Sequence, residues 1–226
     1  MAGAIRARAS FHFAKAKPAK NRAAENPGPH TRAGRTGSTL GCLREDRAVR
    51  RVFRMILPDY LAPGLRVVFC GTAAGKKSGE RRHYYAGDGN DFWRFLFESG
   101  LTSQALSADQ DSRVLEFGIG LTDLAKLVAA SSDKGLRRHY DIAGFVRKME
   151  EFAPRVVAFH GKEAAQEVSR ALGHGRKVRL GSQEWRVAAR PVYVLPSASG
   201  SNRDPRRLEG KTTRLEWFVD LLGLVD

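Results

Sequence analysis

The chain has 226 residues, 42% of them apolar, and a formal net charge of +15. This length and composition suit one sizeable hydrophobic core, and the absence of any run of 18 apolar residues predicts no membrane-spanning helix. Two cysteines, Cys42 and Cys70, cannot supply a four-thiolate iron–sulfur cluster. This sparse cysteine content suits an intracellular, reducing compartment, either the bacterial cytoplasm or an organelle.

The positive charge is concentrated at the start of the chain. Residues 1–54 hold 13 Lys and Arg against 3 acids, and they show little periodic hydrophobicity. This pattern predicts a disordered extension at 1–54, followed by one domain at 55–226. Three interpretations of the extension remain open: an arm that binds DNA phosphates, an organellar targeting segment, and a start codon placed upstream of a true start near Met55.

After the extension, strand and helix patterns alternate along the chain. Such alternation predicts a parallel sheet covered by helices on both faces. We expect strands at 65–70, 119–122, 155–159, 185–189 and 192–195, and helices at 90–99, 107–117, 136–152, 162–172 and 209–223. In the last helix, the residues expected to point inward are Leu215, Phe218, Val219 and Leu222.

The first strand runs into a segment bracketed by two glycines. Its members are Gly71, Thr72, Ala73, Ala74 and Gly75. A glycine-rich turn at the carboxyl end of a strand brings bare backbone amides to the crevice where α/β proteins bind ligands. A phosphate-binding loop is a poor match, because an extra Lys separates Gly75 from Ser78.

Three segments together resemble a known family. Residues 71–75, followed by the aromatic and glycine-rich stretch 84–93, resemble motif 1 of the mismatch-specific uracil/thymine-DNA glycosylases, within the uracil-DNA glycosylase superfamily. That motif reads G-I-N-P-G and then F-A-x-P-x-N-x-F-W. Residues 118–124 resemble the family's second strand, and 195–203 resemble motif 2, the loop that enters the duplex. The chain departs from the family at Ala73, which stands where the family has its catalytic Asn.

The resemblance, which covers about 57–221, implies both a fold and an activity. The fold is a three-layer αβα sandwich around a mainly parallel sheet of four or five strands. The activity is monofunctional base excision: uracil, and other deaminated bases, are flipped from DNA and their N-glycosidic bond is hydrolysed, leaving an abasic site. It implies no cofactor, a DNA partner that contains uracil or mismatches, and a monomer. The missing Asn keeps an alternative open, a catalytically inactive relative that binds damaged or single-stranded DNA.

Catalytic and base-binding roles follow from the same alignment. Tyr85 occupies the position of the aromatic residue that stacks on the flipped base, and packing of this tyrosine on the core is the alternative. The backbone of Gly71, Thr72, Ala73, Ala74 and Gly75 is expected to stabilise the leaving base. Asp123, expected just past the second strand, would orient or activate water in place of the missing Asn. A helix cap or a solvated acid is the alternative for Asp123.

His160 ends the third strand and is expected to contact the base edge or a water molecule, unless it simply ends the strand. DNA contacts are expected from motif 2, namely Ser197, Ser199, Gly200, Ser201, Asn202 and Arg203. Short polar side chains suit phosphate contacts. Since Ser and Gly replace the bulky wedge of the family, Asn202 or Arg203 would have to fill the vacated space. A solvated loop is the alternative. The sequence shows no pair of His or Cys at metal-ligand spacing.

Removing residues 1–54 should leave folding and base excision unchanged, while it weakens nonspecific DNA binding and the salt dependence of that binding. The reason is that flexible Lys and Arg side chains bind phosphates with release of counterions. Urea unfolding and DNA titrations at several salt concentrations would measure both effects. A truncated protein that cannot fold would contradict the predicted domain boundary.

Overall fold

The computed structural model describes residues 55–226, so the predicted extension at 1–54 lies outside the described residues. The described part forms a five-stranded sheet with the strand order β2-β1-β3-β5-β4. Neighbouring strands are parallel, except that β4 runs antiparallel to β5. The strands are β1 (Val67–Ala74), β2 (Ile119–Ala129), β3 (Val156–His160), β4 (Gly181–Val187) and β5 (Arg190–Leu195).

Within residues 55–226, five α-helices and three 3₁₀ segments lie between the strands or follow the last one. The α-helices are α1 (Lys76–Arg81), α2 (Phe92–Glu98), α3 (Ile142–Phe152), α4 (Lys162–Ala171) and α5 (Leu215–Val225). The 3₁₀ segments are Ala108–Phe117, Leu136–His139 and Pro205–Arg207. Within residues 55–226, no helix combines the length and the apolar character needed to cross a membrane.

Helices cover both faces of the sheet. Phe69 of β1 contacts Phe92 of α2 and Phe218 of α5, with ring centroids 5.3 and 6.3 Å apart. Phe159 of β3 is in register with Cys70, the residue after Phe69, and therefore lies on the opposite face. There it contacts Phe145 of α3 at 5.7 Å. The predicted αβα sandwich with a mainly parallel sheet is confirmed, and the sheet has five strands.

Several predicted element boundaries were wrong. Residues Gly71–Ala74 continue β1 instead of forming a turn, and β2 extends to Ala129 instead of ending at 122. The helix predicted at 136–152 breaks before α3, because Asp141 caps α3 by accepting a hydrogen bond from the Gly144 amide at 2.8 Å.

The last helix begins at Leu215, six residues later than predicted. Its buried face is formed by Trp217, Phe218, Leu221 and Val225. Val219, expected to point inward, is 48% exposed. The predicted burial was therefore right for Phe218 and wrong for Val219, because the apolar stripe of the helix includes Trp217 and Leu221.

Candidate active site

A cavity of about 970 Å³ opens where the parallel strands end. Ligand crevices of open α/β sheets lie at this edge. The predicted catalytic and base-binding residues all line it: Gly71, Thr72, Ala73, Ala74, Gly75, Tyr85, Asp123 and His160. Four predicted DNA-binding residues line it as well: Ser197, Ser199, Ser201 and Asn202. The fold thus brings the three sequence motifs to one cavity.

Asp123 lies in the middle of β2, not past the strand's end as predicted. It is directly in register with Gly71 of β1, so the two residues share one face of the sheet. A Cβ atom on Gly71 would lie 2.6 Å from Oδ1 of Asp123. Gly71 therefore makes the space that the carboxyl group occupies, which is a different role from the turn that the sequence suggested.

Asp123 is 6% exposed and lies within β2, so it is neither a solvated acid nor a helix cap. Within residues 55–226 no hydrogen bond or ion pair involves its oxygens. Burial raises its pKa to about 6, an effect that nearby Lys126 and Lys148 reduce and Asp59 increases. At neutral pH the group is thus mostly a carboxylate, and it is basic enough to accept a proton.

The backbone beyond Cys70 offers hydrogen-bond donors to the cavity. Strand β3 pairs with β1 only from Val67 to Cys70, whereas β2 pairs with β1 up to Ala74. Alternate amides of a strand point to opposite edges, so the edge of 71–74 that β3 leaves open presents unpaired N–H groups. The predicted backbone donors are therefore supplied by a strand edge and not by a turn.

Two motif 1 side chains differ in what they offer the cavity. The Thr72 hydroxyl donates a hydrogen bond of 2.6 Å to Oδ1 of Asp133, which fixes Thr72 to the loop after β2. Ala73 also lines the cavity, and its side chain is only a methyl group. The side-chain amide that positions water in the family whose motif 1 this segment resembles therefore has no counterpart at position 73.

Tyr85 packs on the core and also lines the cavity. Its ring stacks on Phe92 with centroids 3.7 Å apart and an interplanar angle of 25°, and it meets the edge of His160 at 4.8 Å. Its hydroxyl is buried and has no hydrogen-bond partner among the described residues. Phe92 and Trp93 are core residues, and the Asn90 side chain, one residue before the N-cap Asp91, accepts a hydrogen bond of 3.0 Å from the Phe92 amide.

His160 is a neutral imidazole. Its Nε2 accepts a hydrogen bond of 2.9 Å from the Ala198 amide, so the ring proton resides on Nδ1. Burial, together with the charge of Arg214, lowers its pKa to about 3. His160 thus joins β3 to the motif 2 loop, and Nδ1–H remains as a possible donor.

The motif 2 loop is held by Arg214, a residue that sequence reasoning missed. The Arg214 guanidinium donates to the carbonyl oxygens of Ser197 at 3.1 Å and Ser199 at 2.9 Å, and it pairs with Asp91 at the start of α2. The Asp91 amide donates to the Ala198 carbonyl at 2.9 Å. Three successive carbonyl groups of the loop are therefore held by hydrogen bonds from Arg214 and the Asp91 amide. Arg214 lies outside all three motifs, so no signal in the sequence marks it.

Three other residues of motif 2 that were predicted to bind DNA are placed differently from one another. Asn202 turns inward and donates to the Ser197 carbonyl at 3.1 Å, so it does not serve as the wedge. Arg203 is exposed and donates to the Gly200 carbonyl at 3.2 Å, which leaves it as the candidate. Gly200 packs on the motif 1 loop, because a Cβ atom there would lie 2.8 Å from the Gly89 carbonyl oxygen.

The described residues hold no group of three or more His, Cys, Asp or Glu side chains placed to bind a metal.

A comparison with known protein families gives a match: residues 58–222 match the sequence model of the family described as the uracil DNA glycosylase superfamily. The chain belongs to the uracil DNA glycosylase superfamily. This membership supports a role as a DNA repair glycosylase.

One solved structure similar to this chain is the solution NMR structure of a Methanosarcina acetivorans protein described as a candidate uracil DNA glycosylase. The two sequences are 22% identical, and the match covers 76% of this chain and 98% of the other, with a TM-score of 0.48.

Proposed function

We propose that this protein hydrolyses the N-glycosidic bond of uracil, and of other deaminated bases, after the base is flipped out of DNA. The observation that carries the proposal is Asp123, a buried carboxylate without a partner among the described residues, in a cavity shared with Tyr85 and His160. A perturbed carboxyl group in a cavity is typical of a catalytic site. The motifs favour the mismatch-specific branch of the superfamily.

In the proposed reaction, Asp123 orients a water molecule whose oxygen attacks C1′ of the deoxyribose. The water proton passes to the carboxylate, which also stabilises the positive charge that develops on the sugar. The C1′–N bond breaks and its electron pair leaves with the base. The open edge of β1 at 71–74 and Nδ1–H of His160 then donate hydrogen bonds to the base anion.

Tyr85 contributes a stacking surface, and basic side chains of the cavity are available to contact the DNA backbone, although five acidic side chains of the lining balance them in formal charge. Basic side chains that line the cavity are Lys76, Lys77, Lys162, Arg206 and Arg207. Together with Ser197 and Ser199 they would hold phosphates on either side of the flipped nucleotide.

The test is excision from a duplex and a single strand that each carry one uracil, with and without alkaline cleavage. A monofunctional enzyme leaves the strand intact until alkali cuts it at the abasic site. Parallel substrates with T·G, hypoxanthine and normal pairs define the base preference. Binding of the uracil duplex without excision would instead support an inactive DNA-binding relative, the alternative that Ala73 favours.

Tyr85→Ala should weaken binding of uracil DNA by about 1–3 kcal/mol, the scale of one aromatic–base stack. Tyr85→Phe keeps the ring and removes only a buried hydroxyl that has no partner among the described residues. It should therefore bind like the wild type and be at least as stable. Fluorescence anisotropy with a labelled duplex measures both variants. Equal losses in the two variants would assign the effect to the hydroxyl and contradict stacking.

A further inference from the structure

The backbone of Tyr85 adopts a conformation that side-chain-bearing residues rarely take. Its φ angle is 53°, in the left-handed region, and Tyr85 is not a glycine. Such a conformation persists only when the surroundings hold it in place, and it occurs most often at functional sites.

The main-chain groups of Tyr84 and Ala86, the residues on either side of Tyr85, are held by side chains from other elements. Before it, the Tyr84 amide donates to Oδ2 of Asp111 at 2.9 Å, and the Tyr84 carbonyl accepts from Trp93 Nε1 at 3.1 Å. After it, the Ala86 amide donates to Oγ of Ser78 at 3.1 Å, and the Ala86 carbonyl accepts from Arg81 at 2.6 Å. Four side chains thus replace the regular backbone pairing that a strand or helix would provide.

Two of these four side chains are buried polar groups, of which Ser78 lines the cavity and Asp111 does not. Asp111 is 2% exposed and Ser78 is 6% exposed. Asp111 also accepts a hydrogen bond of 2.9 Å from the Tyr60 hydroxyl and lies 3.3 Å from Nδ1 of His83. Burying a carboxyl or a hydroxyl is unfavourable unless its hydrogen bonds compensate. Here those bonds go to the two amides that flank Tyr85.

We propose that Asp111 and Ser78 are positioning residues, which fix the Tyr85 backbone so that the ring forms part of the cavity wall. This inference rests on the proposed function in one respect, the stacking of Tyr85 on the flipped base. Asp111 acts from the 3₁₀ segment before β2 and Ser78 from α1, so each reaches the Tyr85 segment from a separate element. Both residues lie outside the aligned motif positions.

Ser78→Ala is the direct test, because it removes the acceptor of the Ala86 amide with little change in volume. We expect kcat/KM for uracil excision to fall on the order of tenfold to a hundredfold, the scale of a small misplacement of a binding group. The loss should appear more in KM than in kcat, since stacking binds the base in both the ground and transition states. In a Tyr85→Ala background, the same change should cost less than about twofold.

Ser99→Ala is the matched control. Ser99 is also a buried serine, 5% exposed, but its hydroxyl donates to the Leu96 carbonyl at 3.3 Å and not to the Tyr85 segment. It should leave KM unchanged. Asp111→Asn serves as the second variant, because its amide oxygen can still accept from the Tyr84 amide and should preserve most of the activity that Asp111→Ala loses.

Amide hydrogen exchange separates this inference from the proposed function. Faster exchange at Ala86 in Ser78→Ala, but not in Ser99→Ala, is expected even if the wild type excises no base. Wild-type KM in Ser78→Ala would overturn the inference while leaving the proposed function intact. Equal losses from Ser78→Ala with and without Tyr85 would overturn it too, because they would show a general effect on folding.

Discussion

Asp123→Asn should lower the turnover of uracil excision by roughly 10²–10⁴-fold, the contribution typical of a positioned acid–base group. Binding of uracil DNA should stay near that of the wild type. The reason is that a carboxylate can accept a proton from water and face a developing cation, whereas an amide of the same shape does neither well. Single-turnover excision with excess enzyme measures the chemical step directly.

The pH profile gives this prediction a second readout. Because burial raises the Asp123 pKa to about 6, the excision rate of the wild type should rise with pH and reach half its maximum near pH 6. The residual activity of Asp123→Asn should lack this titration. An unchanged acid limb in the variant would show that another group titrates.

Stability should change in the opposite direction from activity. The folded-state pKa of Asp123 lies above the ordinary value of 3.8, so the folded protein binds the proton more tightly than the unfolded chain does. Stability is therefore lost as pH rises from about 4 through 6. Asp123→Asn avoids this loss and should unfold with a free energy higher by up to about 3 kcal/mol at pH 8, with no gain below pH 4.

Asp220→Asn is a suitable control for charge. Asp220 lies on α5, is paired with Lys211 and does not line the cavity, yet its substitution changes the net charge equally. This variant should excise uracil like the wild type.

Ala73→Asn restores the side-chain amide that the glycosylase family has at this position of motif 1, and it should partly rescue Asp123→Asn. Full single-turnover excision by Asp123→Asn would contradict the assignment and make His160 the next candidate.

The order of the strands and helices could be predicted, because buried parallel strands are short apolar runs and the covering helices are amphipathic. The convergence of the three motifs could be anticipated as well, since residues after parallel strands meet at one edge of a sheet. The ends of the strands could not be predicted from the sequence. The glycines in 71–75 suggested a turn, whereas pairing with β2 carries the strand through Ala74.

What the sequence could not reveal are contacts between residues far apart in the chain. Gly71 is needed because Asp123, 52 positions later, is its partner in the sheet. Arg214 contacts Asp91 and the motif 2 loop, and nothing in the sequence around it signals that role. Asn202 was a candidate wedge because of its residue type, but its side-chain amide donates a hydrogen bond to the Ser197 carbonyl within the loop.

These contacts explain why motif 2 has a glycine at position 200. The loop is bound by Arg214 and His160 on one side and packs on the motif 1 loop on the other, where a Cβ on Gly200 would lie 2.8 Å from the Gly89 carbonyl oxygen. The absence of a side chain at position 200 thus allows the motif 1 and motif 2 loops to pack against each other. Arg203, an exposed side chain of the same loop, remains available to enter the duplex.

Gly200→Ala should therefore separate the two loops and lower the affinity for uracil duplex and for abasic-site duplex by about tenfold to a hundredfold. The free energy of unfolding should change less, because both loops lie at the edge of the cavity and not in the core. Gly223→Ala in α5 is the matched control, since a Cβ there meets no atom within 4 Å and helices favour Ala over Gly. It should bind DNA like the wild type. If Gly200→Ala also binds both duplexes normally, the loops tolerate separation, and the packing of Gly200 on Gly89 has no part in DNA recognition.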